Sequence, residues 1–198
     1  MAFLVETKCI PSKTIKLAFV AAAGDAACAV VRYLLDNWQL AAKTIGKGFI
    51  SATEGDHYKL MRSLYAEQQI SAEVVLQAFK KTSRWTDIKT LKCLLGLLSD
   101  ETRVPREFKH KAFVDAALTE KMKALQQLTK RGHEELPLEV LKEAHATRYD
   151  NIKKVVCRVA CEQLFNSSPK GRFDAMAKVM AEWKESTGKK SRARRKNK

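Results

Sequence analysis

The stretch Asp25-Ala26-Ala27-Cys28-Ala29-Val30-Val31-Arg32-Tyr33-Leu34-Leu35 sets a short polar residue ahead of apolar side chains at helical spacing, Val30, Val31, Leu34 and Leu35. An Asp in that place suits a helix N-cap, because its carboxylate accepts from exposed backbone N–H groups and complements the positive end of the helix. The arrangement recurs. Small polar residues stand at Asp25, Asp56, Asp87, Thr119 and Asp150, with spacings of 31, 31, 32 and 31. Behind the later ones follow Leu60, Met61, Leu64 and Tyr65, then Ile88, Leu91, Leu94 and Leu95, then Met122, Leu125 and Leu128, then Ile152, Val155, Val156 and Val159. Each polar residue is therefore expected to open the second helix of a hairpin that buries one face.

Another helical segment precedes each of these starts and holds Ala18, Phe49, Ala78, Ala112 or Ala144 six to nine residues upstream. Small side chains there let neighbouring helices approach closely. Several of these first helices open on an apolar residue followed by Pro or Ser: Ile10-Pro11, Ile70-Ser71, Val104-Pro105 and Leu136-Pro137. Proline is tolerated in a first helical turn, where its missing N–H would have had no partner. The second repeat departs from this opening. Ile45-Gly46-Lys47-Gly48 stands where Pro or Ser is expected and predicts a bulge or a loop.

A recurrence of about 31 residues in paired helices is the signature of a solenoid. The sequence thus predicts an all-α solenoid of about five helical hairpins over 10–40, 41–69, 70–103, 104–135 and 136–166. After the turn at Asn166-Ser167-Ser168-Pro169, the stripe Phe173, Met176, Ala177, Met180 and Trp183 predicts a capping helix over 169–185, closing a repeat domain of residues 1–185. Residues 186–198 lack the apolar surface to fold alone and are expected to be disordered unless bound.

Composition narrows the partner. The 198 residues carry 37 Lys plus Arg against 22 Asp plus Glu, a net charge of +15 that favours an anionic partner such as nucleic acid. Seven of those cations, Lys189, Lys190, Arg192, Arg194, Arg195, Lys196 and Lys198, fall in the last ten residues, which hold no acid and leave +8 for the rest. Such a cluster reads as a nuclear or nucleolar address or as an arm laid on phosphates, with a merely solubilising tail as the plainer alternative. Five cysteines, an odd number set among apolar neighbours, suggest buried thiols in a reducing compartment rather than a disulfide framework. With neither a signal-peptide pattern at the N-terminus nor an eighteen-residue apolar run, the expectation is a soluble intracellular protein without a membrane span. Nucleus or nucleolus is favoured over cytoplasm or an organelle ribosome.

The stretch Leu17-Ala18-Phe19-Val20-Ala21-Ala22-Ala23-Gly24-Asp25 followed by Val30 to Asn37 resembles an ankyrin repeat's helix, glycine-polar turn and leucine-rich second helix. That resemblance implies a protein-binding groove. Lys130-Arg131-Gly132-His133 followed by Leu136-Pro137 looks like the end of a pentatricopeptide repeat, a family of paired helices that would imply single-stranded RNA binding. The ankyrin-like opening and glycine-rich hairpin are missing, and the period is shorter than the pentatricopeptide one.

For a site, the turns between paired helices are the candidates, since a solenoid stacks them along one edge. They carry cations beside aromatics: His57-Tyr58, Lys80-Lys81 with Arg84-Trp85, and Arg148-Tyr149, with Lys121 in the fourth turn. Cations can contact phosphates while aromatic faces stack on unpaired bases, which would let Lys81, Arg84, Trp85, Lys121, Arg148 and Tyr149 hold single-stranded RNA. Alternatively, Trp85 and Tyr149 seal the repeat interfaces while the lysines are solvated. Lys130 and Arg131 near a helix end, and Lys153, Lys154 and Arg158 on the fifth second helix, are accounted for by the helix dipole and by solvation.

Cys157, Cys161 and His145 would be a poor zinc site, because no second closely spaced Cys or His pair completes four ligands. Gly46-Lys47-Gly48 and Gly188-Lys189-Lys190 lack the phosphate-loop frame, and His57, His110, His133 and His145 stand in no recognisable motif. The expectation is a non-enzymatic scaffold without cofactor or metal, bound to RNA or a ribonucleoprotein such as the ribosome or its assembly intermediates. The alternative is an adaptor or effector that binds a protein and uses its tail for location.

Overall fold

The computed structural model describes residues 10–68, 70–82, 86–100, 102–130, 136–167 and 181. Among them the chain is all-α, with ten helices and no strand: α1 Ser12–Gly24, α2 Cys28–Asn37, α3 Ala42–Glu54, α4 Tyr58–Glu67, α5 Ala72–Lys81, α6 Ile88–Leu98, α7 Arg106–Leu118, α8 Met122–Lys130, α9 Leu138–His145 and α10 Asp150–Ser167. Two helices begin in each of the five segments expected from the sequence, and α10 continues through Asn166 and Ser167, where the sequence reading placed a turn. No helix among the described residues is long and apolar enough to cross a membrane. Apart from Ala181, the expected capping helix and the basic tail lie outside the described residues.

The chain divides into two compact units, with the division between Ala112 and Phe113 inside α7. In the first unit the leading helices form a row, α1 against α3 and α3 against α5, while each packs on its own partner, α2, α4 or α6, and α4 packs on α6. Such contacts are consistent with a helical repeat. In the second unit α9 packs on α10.

The row is held by phenylalanine. Phe19, Phe49 and Phe79 occupy one register of α1, α3 and α5, thirty residues apart, and all are 0% exposed. Phe113 is buried in α7 of the second unit. Burying each such ring contributes roughly 1.5–3 kcal/mol, which sets this register as the anchor of the first helices. The small-residue register read from the sequence is met at Ala78, Ala112 and Ala144 but not at Ala18, which is exposed because the neighbouring Phe19 takes the inward position. On the second helices, Val31, Leu34, Leu60, Met61, Leu64, Tyr65, Leu91, Leu94, Leu95, Leu125, Leu128, Ile152 and Val156 are buried as the spacing predicts, whereas Ile88 is exposed.

The second repeat needs no bulge. Residues 42–54 form one unbroken helix in which Gly46 and Gly48 are buried against neighbouring helices. A Cβ on Gly46 would stand 3.1 Å from Val74 Cγ2 of α5. On Gly48 it would run into the ring of Phe19 on α1. The glycines are therefore points of close helix approach, which is why a stretch of poor helix propensity stays helical. Contacts advance together along the two helices, Gly48 at Phe19 and Gly55 at the Gly24 carbonyl, so α1 and α3 run parallel.

Most of the polar residues expected to cap second helices sit slightly earlier than expected. Asp87 acts as a capping side chain, its carboxylate accepting from the Lys89 N–H at 3.1 Å. Asp150 is already the first residue of α10, while Asp25, Asp56 and Thr119 belong to the turn that ends the preceding helix. Three of these turns share one geometry. Ala26, Asp56 and Glu120 adopt left-handed φ values of 55°, 61° and 61°. The next residue's N–H then reaches back five residues: Ala27 to the Ala22 carbonyl, His57 to Ala52 and Lys121 to Ala116, each at 2.9 Å. This closure satisfies a carbonyl at the helix end and usually employs glycine at the left-handed position.

Candidate nucleic-acid interface

Of the six residues singled out in the turns, Arg84 and Trp85 lie outside the described residues. Lys81 is exposed in the last turn of α5 beside Lys80, where positive charge also complements the helix dipole. The other three belong to the second unit and differ sharply in what they can do.

Lys121 precedes α8 and is 6% exposed, with its ammonium donating to Asp115 Oδ2 at 2.9 Å. The left-handed Glu120 turns the chain back over the end of α7, which brings the lysine onto a carboxylate of that helix. A buried lysine so paired is committed to Asp115, and releasing it to a phosphate would strand the carboxylate.

Arg148 and Tyr149 behave otherwise. The exposed Arg148 guanidinium lies 5.1 Å from the centroid of the Tyr149 ring and donates to the phenol oxygen at 2.9 Å. That hydrogen bond holds Arg148 still more firmly in its charged form. The turn beneath is braced by the buried Thr147, whose hydroxyl donates to the Ala117 carbonyl at 2.9 Å while its oxygen accepts from the Tyr149 N–H at 3.4 Å. A cation and an aromatic ring are thus pre-assembled on a fixed turn, an arrangement that suits a phosphate next to a stacked base. Lys153 is tied to Asp150 at 3.0 Å, and the half-buried His145 is pushed below the usual histidine range by burial and by Lys153.

His57 and Tyr58 serve the fold. His57 Nε2 lies 2.7 Å from the Gly24 carbonyl, joining the turn after α3 to the end of α1, and Lys89 sits over the Tyr58 ring at 5.9 Å. Another basic cluster escapes a reading that begins at the turns. Lys13 and Lys16 on α1 and Lys43 and Lys47 on α3 are all exposed on adjoining helices, and the signal in the sequence is the thirty-residue register shared by Lys13 and Lys43.

The four described cysteines are free thiols. Cys28, the first residue of α2, is exposed, against the expectation of burial. Cys93 and Cys157 are half-buried, and burial pushes both thiols up, with Cys161 adding to the effect at Cys157. Among the described residues no group of three or more His, Cys, Asp or Glu side chains could hold a metal ion. Compared with protein-family models, with curated proteins and with solved structures, the chain matches none.

Proposed function

We propose that the chain is a non-enzymatic solenoid of five helical hairpins that binds RNA or a ribonucleoprotein, associated with the ribosome or its assembly, through exposed cations of its turns and its basic C-terminal tail. The observation that carries this reading is the Arg148–Tyr149 pair, a cation resting on an aromatic ring at 5.1 Å in an exposed turn, within a chain of net charge +15. Lys81 adds an exposed cation, and the seven cations from Lys189 to Lys198 supply the sequence-independent part of the affinity. Lys121 is left out of the contact set because Asp115 holds it. Binding alone is the mechanism: phosphate contacts set affinity and its fall with salt, and any base preference comes from the repeat surface.

The second reading is an ankyrin-like protein adaptor whose tail directs it to the nucleus. A cleft of about 350 Å³ at the connection between α2 and α3 favours it. Leu35, Trp38, Leu40, Ile45 and Gln68 line this cleft, and the buried Trp38 indole N–H has no hydrogen-bond partner among the described residues. A peptide carbonyl could accept that hydrogen.

Fluorescence anisotropy with single-stranded RNA over a salt series separates the two. The comparison is between the full chain, a chain ending at Glu185, and the full chain carrying Arg148→Ala with Tyr149→Ala. Affinity that drops on tail removal and drops again with the double substitution supports the RNA reading. Binding no stronger than that of a random basic peptide sinks it and leaves the adaptor.

A further inference from the structure

Six residues ahead of the buried phenylalanine, the first four leading helices carry Lys13, Lys43, Glu73 and Glu107. In every case the position lies in the first turn of its helix, where the exposed backbone N–H groups make an acid favourable and a lysine unfavourable by about 0.3–1 kcal/mol. Helices α5 and α7 follow that preference, with Glu73 and Glu107. Helices α1 and α3 reverse it. Neither has an acid in its first turn or a side chain that caps its first N–H groups.

One turn further on, the same two helices add Lys16 and Lys47, at spacings of three and four residues that set like charges side by side. Nothing in helix energetics accounts for this choice. All four lysines are exposed, and none forms an ion pair among the described residues. Across both helices the single acid is Glu54, at the far end of α3.

The tertiary arrangement turns these four positions into one surface. Helices α1 and α3 are parallel neighbours, so Lys13 and Lys43 stand at the same end of the layer. Lys47 lies between Gly46, which faces α5, and Gly48, which faces α1, and therefore points out of the layer. Packed helices lie about 8–10 Å apart and successive turns about 5.4 Å, so the four ammonium groups share a patch the size of a few nucleotides.

We infer that the outer face of α1 and α3, through Lys13, Lys16, Lys43 and Lys47, is a phosphate-contacting surface for the backbone of RNA. This rests on the reading above that the chain binds RNA and names a contact surface apart from the turns and the tail. Charge complementarity selects a polyanion. An anionic membrane is the poorer fit, because a helix lying in a lipid interface presents a broad apolar face, whereas Ile15, Phe19, Ala22 and Ala23 of α1 are all turned inward and Leu17 is its one large apolar side chain left exposed among the described residues.

The test uses the full chain and a fluorescent single-stranded RNA of mixed sequence. Lys13, Lys16, Lys43 and Lys47 are changed together to Gln. A control with the same net charge changes Lys59, Lys92, Lys123 and Lys154, exposed lysines of second helices, to Gln. The face variant is expected to bind about tenfold more weakly at moderate salt, with the slope of log affinity against log salt reduced by roughly 2–3, and the control to change little. Arginine at the four face positions restores binding.

Equal losses in both variants overturn the inference in favour of bulk charge. An unchanged face variant also overturns it while leaving RNA binding by the tail in place. If the unaltered chain binds no RNA, the proposed function falls with it. If the unaltered chain binds phosphatidylserine vesicles instead, the surface is a membrane contact and the inference is wrong. Far-UV circular dichroism of each variant keeps a folding failure from passing as a binding loss.

Discussion

The leading helices have an inner and an outer face that obey different rules. Inward, Phe19, Phe49 and Phe79 keep one residue type in one register of the first unit, because each ring fills space that neighbouring helices close. Outward, the equivalent positions run Lys13, Lys43, Glu73, with nothing packed against them. The repetition of the inner face reports on packing. The change of sign on the outer face is free of packing, so it carries whatever distinguishes one end of the row from the other.

The sharpest way to break this contrast is to attack the inner face and look for an effect on the outer one. Phe49→Ala should cost about 3–5 kcal/mol in urea unfolding, and RNA affinity measured well below the transition should stay within about twofold of the unaltered chain. A large affinity loss in the folded variant would show that the two faces are coupled. Next in size is Gly48→Ala, expected to destabilise by roughly 1–3 kcal/mol because the new methyl meets the buried Phe19 ring, despite the better helix propensity of alanine. Gly46→Ala meets the two methyls of Val74 at 3.1 and 3.4 Å and should be milder. Equal effects at the two glycines would contradict the close approach of α1 to α3.

Smaller still are the turns. Ala26→Gly and Glu120→Gly relieve left-handed backbone and should each stabilise by up to about 1 kcal/mol, read as a rise in the unfolding midpoint. Asp56→Gly should not, since its carboxylate accepts from the Asp87 N–H at 3.0 Å and ties one turn to the next. The smallest effect tests the outer face directly. Lys13→Glu and Lys43→Glu should each stabilise the fold by about 0.3–1 kcal/mol while weakening RNA binding, and Glu73→Lys should do the opposite on stability. Stability and affinity moving in the same direction would remove the reason for regarding these lysines as functional.

Segmentation into paired helices was legible because it rests on local spacing. Val31 with Leu34, Met61 with Leu64, and Leu91 with Leu94 declare a buried face within a few residues of themselves. The turn signals were legible to within a few residues. Asp25, Asp56 and Thr119 mark where one helix gives way to the next, and only the left-handed closure at Ala26, Asp56 and Glu120 shows that they finish a helix rather than begin one. Gly46 and Gly48 read as a break because propensity is summed along the chain, while their partners, Val74 and Phe19, are about thirty residues away.

The candidate site divides in the same manner. Arg148 and Tyr149 are adjacent in sequence, so their pairing could be anticipated; the capture of Lys121 by Asp115 depends on how the chain folds back over α7. By itself the sequence determined the all-α class, the places of the helices and the excess of positive charge, since each follows from neighbours along the chain. The tertiary structure alone decided which cations stand unpaired beside one another, because Lys13, Lys16, Lys43 and Lys47 become one surface only when α1 and α3 are laid parallel.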